Sequence, residues 1–207
     1  MEKVIVDKLE YEKKYLQNGY KYIAGVDEVG RGPLAGPVVC ASVIMPLDDL
    51  IVGIDDSKKL SKKKREKLYD EIINKAISYK ICRVEPSEID EINILQATKK
   101  CMKECIETMS VTPEIVLVDA VKLDTHINCE PIIKGDFKSY SIGAASILAK
   151  VYRDKIMEDY AKQFVGYGFE RNSGYGTKEH IEKIKEVGPC SIHRKTFIKN
   201  FWEVKEN

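Results

Sequence analysis

The sequence AGVDEVGRGPLAGP at Ala24–Pro37 carries the most structural information in this chain. An apolar run over 20–26 predicts a strand that delivers two adjacent acids, Asp27 and Glu28. A loop of glycines around one arginine follows, and a second apolar run over 37–45 predicts another strand. We therefore expect a sheet in which a strand end carries two carboxylates into a glycine-rich loop.

This segment also predicts a chemistry. Carboxylate oxygens from Asp27 and Glu28 are hard ligands that suit Mg²⁺ or Mn²⁺. Gly30 and Gly32 leave the backbone without side chains, so that a bulky substrate can come close. Arg31 is a permanently charged, planar donor that matches phosphate. Together these residues indicate phosphodiester chemistry, and the alternative is a tight turn beside a solvated acidic pair.

The composition sets broad limits. A chain of 207 residues fits one domain over 1–207 with a substantial core. With 34 basic and 33 acidic residues, the overall charge does not predict a nucleic-acid-binding protein. Seven of the ten residues over Lys58–Lys67 are basic, against the single acid Glu66. This stretch is equally consistent with a solvated helix face and with a phosphate-binding patch.

Neither export nor membrane insertion is expected. Asp7 ends the short apolar start of the chain, and no apolar run approaches the length of a membrane span. Cys101 and Cys105 are four residues apart in a helical pattern, so both should face the core. We therefore predict reduced, buried thiols in a cytoplasmic protein. Three histidines are too dispersed for a zinc site. The six cysteines are Cys40, Cys82, Cys101, Cys105, Cys129 and Cys190.

Periodicity predicts an α/β fold with a helical C-terminal section. Further strands are predicted over 79–84, 114–118 and 131–134. Helices are predicted from an N-cap at Ser61, over 93–109, over 141–164, over 177–187 and after His193. Small residues near the start of the helix over 141–164 should let it pack tightly against the sheet. We expect an N-terminal extension over about 1–20 and a helical C-terminal section over about 166–207.

Two further acids follow predicted strands. Asp119 lies at the carboxyl end of one strand, where open α/β sheets bind ligands, and Asp136 follows the next apolar stretch. With Asp27 and Glu28 they could form one site, and unpaired carboxylates that close together require cations. Two divalent ions about 3.5–4 Å apart would suit phosphodiester hydrolysis. Periodicity does not single these acids out, because others are equally visible, among them Asp55, Asp56 and Asp124.

Several segments together identify a family resemblance. The chain closely resembles bacterial ribonuclease HII over nearly its whole length. The matching segments are AGVDEVGRGPLAGPVV at 24–39, DSKKLSKKKRE at 56–66, INILQAT at 92–98, VDA at 118–120, GDFKSYSIGAASILAKVYRD at 135–154, SGYGTKEH at 173–180 and GPCSIHRKTF at 188–197. Ribonuclease HIII, the near relative, typically has a separate N-terminal domain and lacks the Gly-Arg-Gly loop that stands here.

The resemblance implies a ribonuclease H-like mixed central sheet flanked by helices. It implies hydrolysis on the 5′ side of a ribonucleotide in RNA–DNA hybrids and at single ribonucleotides in duplex DNA, with two Mg²⁺ or Mn²⁺ ions, leaving 3′-OH and 5′-phosphate ends. The resemblance implies that the metal-binding and catalytic carboxylates are Asp27, Glu28, Asp119 and Asp136. It implies that the loop of Gly30, Arg31 and Gly32 senses the ribose 2′-OH. It also implies that Tyr175 stacks on the following deoxyribose.

Three lysines are candidates for phosphate contacts, namely Lys58, Lys59 and Lys150, with ordinary surface lysines as the alternative. The chain departs from the family pattern at Ala120, where glycine is common, and at Cys190, where serine is commoner. The segment before the GYGT motif is also less basic than usual, which could weaken the grip on DNA.

Two other functions stay open at this stage. A non-catalytic nucleic-acid-binding protein on the same fold would be expected to lack one or more of the carboxylates, and all four are present. A nuclease with broad hybrid specificity is disfavoured by Arg31 with its two glycines and by Tyr175. We expect a monomer. The aromatic segment Phe197–Trp202 is expected to pack in the core rather than to bind a partner.

Overall fold

The computed structural model describes residues 8–54 and 60–202. One mixed sheet has the strand order β3-β2-β1-β4-β5, with β1 antiparallel to β2 and parallel to β4. This confirms the predicted mixed α/β fold, although the short strand predicted over 131–134 lies two residues earlier. The strands are β1 (Ile23–Val29), β2 (Val38–Ile44), β3 (Ser78–Val84), β4 (Ile115–Asp119) and β5 (Cys129–Ile132).

The first strand is longer than the sequence predicts. We expected Asp27 and Glu28 to follow a strand over 20–26, and that boundary is wrong. The antiparallel ladder with β2 continues as far as the pair Val29 and Val39, so both acids lie inside β1. Consecutive residues of a strand point to opposite faces, and the two carboxylates therefore leave the backbone in different directions.

The predicted long helices are present within one or two residues of their expected bounds. Among the described residues there are four further helices that the sequence did not predict, over 10–17, 86–92, 135–138 and 169–172. Among the residues described, no helix is both long enough and apolar enough to cross a bilayer. The helices are α1 (Glu10–Gln17), α2 (Lys62–Lys75), α3 (Pro86–Ile92), α4 (Ile94–Glu107), α5 (Gly135–Lys138), α6 (Tyr140–Gln163), α7 (Phe169–Asn172), α8 (Lys178–Val187) and α9 (Lys195–Ile198).

Helices cover both faces of the sheet. On one face α4 packs against alternate residues of β1 and β2, and its Cys101 and Cys105 are fully buried there, as predicted. On the other face α6 and α2 pack against the intervening residues, such as Val39 and Ala41. All six cysteines are free thiols. Burial on both faces explains why every residue of β2 is apolar or small.

The long helix α6 approaches β1 closely. Its start is built from small buried residues, as predicted, among them Gly143, Ala144 and Ala145. A Cβ atom on Gly25 of β1 would lie 2.1 Å from the carbonyl carbon of Ser141. Only glycine permits this contact, which places the side chains of α6 directly beside the acids of β1.

The C-terminal section forms its own apolar cluster against the end of α6. Phe169, Ile184 and Ile198 are buried in this cluster, and Phe201 and Trp202 pack against it. The prediction that the aromatic segment packs in the core is thus confirmed for these residues. The section also contacts the glycine-rich loop, because the backbone of Ala35 pairs with that of His193.

Candidate active site

Three carboxylates come together where β1 and β4 lie side by side. One oxygen each from Asp27, Glu28 and Asp119 lies within 4.8 Å of the other two. The parallel pairing of the two strands places Val26 beside Val118, so the acids that follow them are neighbours. The backbone N–H of Gly135, at the start of α5, donates to Asp119 Oδ1 at 2.6 Å and fixes this side chain.

Two carboxylic acids of this cluster, Asp27 and Glu28, have raised pKa values. Asp27 is only 6 % exposed, and burial raises its pKa well above the ordinary value, with the charges of Glu28 and Asp119 adding to the effect. Burial also raises the pKa of Glu28, against the opposing charge of Arg31. Glu28 Oε2 is buried without a hydrogen-bond partner among the described residues. A divalent cation would satisfy this oxygen and neutralise the cluster, so these residues fit a hard metal ion.

Asp136 lies at the same site but outside the tight cluster. It belongs to the first turn of α5, and it lines a cavity of about 210 Å³ together with the three other acids. Ser146 and Lys150 of α6 and the exposed ring of Tyr175 also line this cavity. The structure thus gathers all four predicted carboxylates around one opening, with only three of them in close contact.

The glycine-rich loop stands at the edge of this cavity. Arg31 Nη1 donates to Glu28 Oε1 at 3.4 Å, and its side chain remains largely exposed. A Cβ on Gly32 would lie 3.6 Å from Cε1 of Tyr175, so the loop and the tyrosine ring are neighbours. Gly30 is buried, has a φ of +93°, and leaves room for the side chain of Arg153. Its backbone conformation requires glycine, whereas Gly32 is exposed toward solvent.

Of the three candidate lysines, the structure places Lys150 at the site. Its Nζ donates to Asp154 Oδ1 at 2.6 Å, one helical turn further along α6. Asp154 also pairs with Arg65 of α2 at 3.6 Å. Lys58 and Lys59 lie outside the residues that the structure describes.

Comparisons with known proteins agree with this geometry. The family model of ribonuclease HII matches residues 24–204. The chain belongs to the ribonuclease HII family. Ribonuclease HII from Leuconostoc mesenteroides is 55% identical over 192 residues, which are 93% of this chain and 76% of that protein. Ribonuclease HII from Caldanaerobacter subterraneus is 57% identical over 189 residues, which are 91% and 78% of the two chains.

A solved structure has the same fold. The ribonuclease H2 from Pyrococcus horikoshii superposes with a TM-score of 0.74 at 28% identity, covering 88% of this chain and 94% of that one. The protein is therefore a ribonuclease H, a hydrolase with nuclease activity.

Two buried arginines of this ribonuclease support the glycine-rich loop, and neither is predicted by the sequence patterns. Arg153 of α6 donates to the carbonyl oxygens of Pro37, Ala35 and Ser173. Arg194 donates to those of Gly30 and Arg31, and also to that of Gly36. Burial lowers the pKa of Arg194 to about 9, and the nearby charge of Arg153 adds to the shift. Backbone carbonyls accept three hydrogen bonds from Arg153 and four from Arg194.

A histidine pair of the ribonuclease lies behind Tyr175, and it too was missed. His180 Nδ1 is 2.8 Å from the backbone oxygen of Tyr175, and His180 Nε2 is 3.0 Å from His193 Nε2. Both imidazole rings are buried and pack against the rings of Tyr167 and Phe169. Cys190 contacts His193 Nδ1 through its backbone N–H and its thiol, at 2.9 and 3.1 Å. The sequence offers one indication of this pair, because each histidine lies in a segment that matches the family: His180 in SGYGTKEH and His193 in GPCSIHRKTF.

Proposed function

We propose that this ribonuclease hydrolyses the phosphodiester bond on the 5′ side of a ribonucleotide, in RNA–DNA hybrids and at single ribonucleotides within duplex DNA. The products would carry 3′-OH and 5′-phosphate ends. The observation that carries the proposal is the group of three carboxylates, Asp27, Glu28 and Asp119, which includes one buried oxygen without a hydrogen-bond partner.

Four residues are assigned to hold the metal ions and thereby to carry catalysis: Asp27, Glu28, Asp119 and Asp136. When bound, two Mg²⁺ or Mn²⁺ ions would supply activation of the attacking water and stabilisation of the departing 3′ oxygen. The chain itself positions the ligands: Gly135 N–H fixes Asp119, and the backbone N–H of Glu28 donates to Asp27 Oδ1 at 2.7 Å. Water activated by the ions is the expected nucleophile in such a two-metal site.

The glycine-rich loop and Tyr175 are assigned to read the sugar. Close backbone groups of Gly30, Arg31 and Gly32 suit recognition of a ribose 2′-OH, the group that distinguishes RNA from DNA. The exposed ring of Tyr175 beside Gly32 offers a surface for the next sugar, and a ring that accepts deoxyribose but crowds a 2′-OH would add selection against RNA. Lys150, which lines the cavity, is assigned to a backbone phosphate.

The first test is cleavage of duplex DNA that contains one ribonucleotide. We expect a single nick 5′ of the ribonucleotide with Mg²⁺ or Mn²⁺, no cleavage with chelator, and an intact all-DNA duplex. Cleavage of a long RNA–DNA hybrid without cleavage of this duplex would contradict the sugar-reading roles of Arg31 and Tyr175. It would favour a nuclease of broad hybrid specificity instead.

Asp119→Asn tests the metal site. The variant keeps the oxygen that accepts from Gly135 but loses the charge, so we expect cleavage to fall by at least about a hundredfold while substrate binding persists. Asp124→Asn is the matched control, because Asp124 is an exposed acid that lines a different groove. Near-normal cleavage by Asp119→Asn would show that the metal ligands are assigned wrongly.

A further inference from the structure

The hydrogen bonds of the buried histidine pair fix the position of every proton in it. The backbone oxygen of Tyr175 can only accept, so His180 Nδ1 must carry a proton and donate. In a neutral ring this leaves His180 Nε2 bare, and His193 Nε2 must therefore donate to it. His193 Nδ1 is then bare as well, and it accepts from the backbone N–H of Cys190. One arrangement, with both rings neutral, satisfies all three contacts.

The turn over 190–194 contacts His193 Nδ1 through both backbone groups of Cys190, with the N–H at 2.9 Å and the carbonyl oxygen at 3.2 Å. In the neutral arrangement the nitrogen accepts from the N–H. The pair is thus a supporting chain of hydrogen bonds in which the last donor, His180 Nδ1–H, binds the backbone oxygen of Tyr175.

The turn over 190–194 connects this support to the second sugar-reading element. Next to His193 in the chain, Arg194 donates to the carbonyl oxygens of Gly30 and Arg31 at 2.5 and 2.9 Å. The backbone also links the segments, because Leu34 N–H donates to Gly174 at 2.8 Å. One turn of the C-terminal section therefore supports both elements. Arg194 binds the glycine-rich loop, and His193 supports Tyr175 through His180.

We propose that His180 and His193 are positioning residues that set the gap between Tyr175 and the glycine-rich loop, and so determine how strongly the enzyme selects deoxyribose after the ribonucleotide. The inference rests on the role proposed above for Tyr175. Tyr175 is 46 % exposed, whereas its backbone oxygen is held by His180 and by the N–H of Thr177. A shift of this backbone would move the ring relative to Gly32, its neighbour across the gap.

The test compares two substrates. One is duplex DNA with a single ribonucleotide, and in the other the nucleotide on its 3′ side is also a ribonucleotide. The ratio of kcat/KM on the first to that on the second measures selection of the following sugar. Removing the donor with His180→Leu should lower this ratio on the order of tenfold, the scale of a small misplacement in an active site. A purely structural role would reduce both values together and leave the ratio unchanged.

A milder variant and a double variant sharpen the result. His180→Asn can still place an N–H near the position of Nδ1, and we expect an intermediate ratio. If His180 acts through Tyr175, then His180→Leu should have no further effect on the ratio in a Tyr175→Ala background. His126→Gln is the control, since His126 is exposed and contacts Glu107 of α4.

Three outcomes would overturn the proposal. A wild-type ratio in both folded His180 variants would show that the pair does not position Tyr175. A further fall of the ratio in the Tyr175→Ala background would show that His180 acts by another route. If Tyr175→Ala itself kept the wild-type ratio, the proposed role of Tyr175 would be at fault, and the positioning proposal would fail with it.

Discussion

At the level of single residues, the charge of Asp27 suits a metal ligand but lowers the stability of the metal-free fold. Its carboxylate is buried beside Glu28 and Asp119, and burial with these like charges raises its pKa well above the ordinary range. A group whose pKa is raised by folding makes the folded state less stable as the pH rises through that pKa. In the absence of metal, the charge of Asp27 therefore destabilises the fold near neutral pH.

Asp27→Asn should accordingly make the metal-free protein more stable while abolishing cleavage. The amide keeps an oxygen for the N–H of Glu28 and removes the charge, so we expect a gain of about 1–3 kcal/mol in the free energy of unfolding at pH 8. Urea unfolding in chelator measures this, and the gain should shrink at pH 5. Added Mg²⁺ or Mn²⁺ should raise the melting temperature of the wild type more than that of the variant.

Asp124→Asn again serves as the control for this effect. Because Asp124 is exposed, its stability should change by less than about 0.5 kcal/mol. A variant Asp27→Asn that is less stable than the wild type at every pH, in chelator, would show that the cluster is not under electrostatic strain.

The residues of the site differ in how far the sequence could predict them. Asp27, Glu28 and Asp119 follow apolar strand patterns, which makes them candidates, and the motifs shared with the family select them among the other visible acids. Arg194 and Gly30, in contrast, are 164 residues apart and meet only in the folded chain. A buried arginine that binds backbone carbonyls has no acidic partner whose spacing could reveal it. The contact between His180 and His193 likewise forms only in the folded chain, and no sequence pattern predicts it.

At the level of elements, α1 supports the N-terminal cap of α6, in which Ser139 Oγ accepts from the N–H of Ile142 at 3.1 Å. Glu12 of α1 is fully buried, and its Oε1 accepts from Ser139 Oγ at 2.6 Å and from Ser141 N–H at 2.9 Å. A carboxylate at a helix N-terminus satisfies free N–H groups and faces the positive end of the helix dipole. The short helix before β1 thus fixes the start of the helix that carries Ser146, Lys150 and Arg153.

Glu12→Ala should therefore lower the free energy of unfolding by about 1–3 kcal/mol, because it leaves buried donors at the start of α6 without a partner. Chemical denaturation at pH 7 measures the loss. Glu10→Ala is the matched control, since Glu10 lies in the same helix with its side chain exposed. Equal stability of the two variants would contradict a capping role for Glu12.

The bounds of β1 illustrate why periodicity fails where elements serve a site. Hydrophobic patterning marks where apolar residues stop, and it therefore ended the predicted strand before Asp27. The hydrogen-bonded ladder with β2 continues through two acids to Val29, since a neighbouring strand can pair with any backbone. The cost of carrying charge into a buried strand appears in the raised pKa of Asp27 and is a common feature of functional sites.

For the molecule as a whole, hydrogen bonds between buried polar side chains and backbone groups help to hold the C-terminal section against the glycine-rich loop. Arg153, His193 and Arg194 supply most of these groups, and none has an acidic side chain as its hydrogen-bond partner among the described residues. Such a contact keeps its geometry only while each group holds the correct protons. The histidines are the members whose protonation changes closest to neutral pH.

Acid should therefore weaken the fold through His193 before the carboxylates act. Burial and the neighbouring His180 lower the pKa of His193 to about 4, and burial lowers the pKa of His180. Between the lowered pKa of His193 and the ordinary value of about 6.5, the unfolded chain binds more protons than the folded one, so the free energy of unfolding falls as the pH falls. Each such proton contributes a slope of up to about 1.4 kcal/mol per pH unit.

Urea unfolding of the wild type, His193→Gln and His126→Gln at about pH 7, 5.5 and 4.5 tests this linkage. His193→Gln should cost stability at pH 7, and that cost should shrink toward pH 4.5, because the variant no longer has this group to protonate on unfolding. His126→Gln should follow the wild type at all three values, since the side chain of His126 is 75% exposed. A cost of His193→Gln that stays constant with pH would mean that the pair supports the fold by packing alone, without the proton arrangement that its hydrogen bonds require.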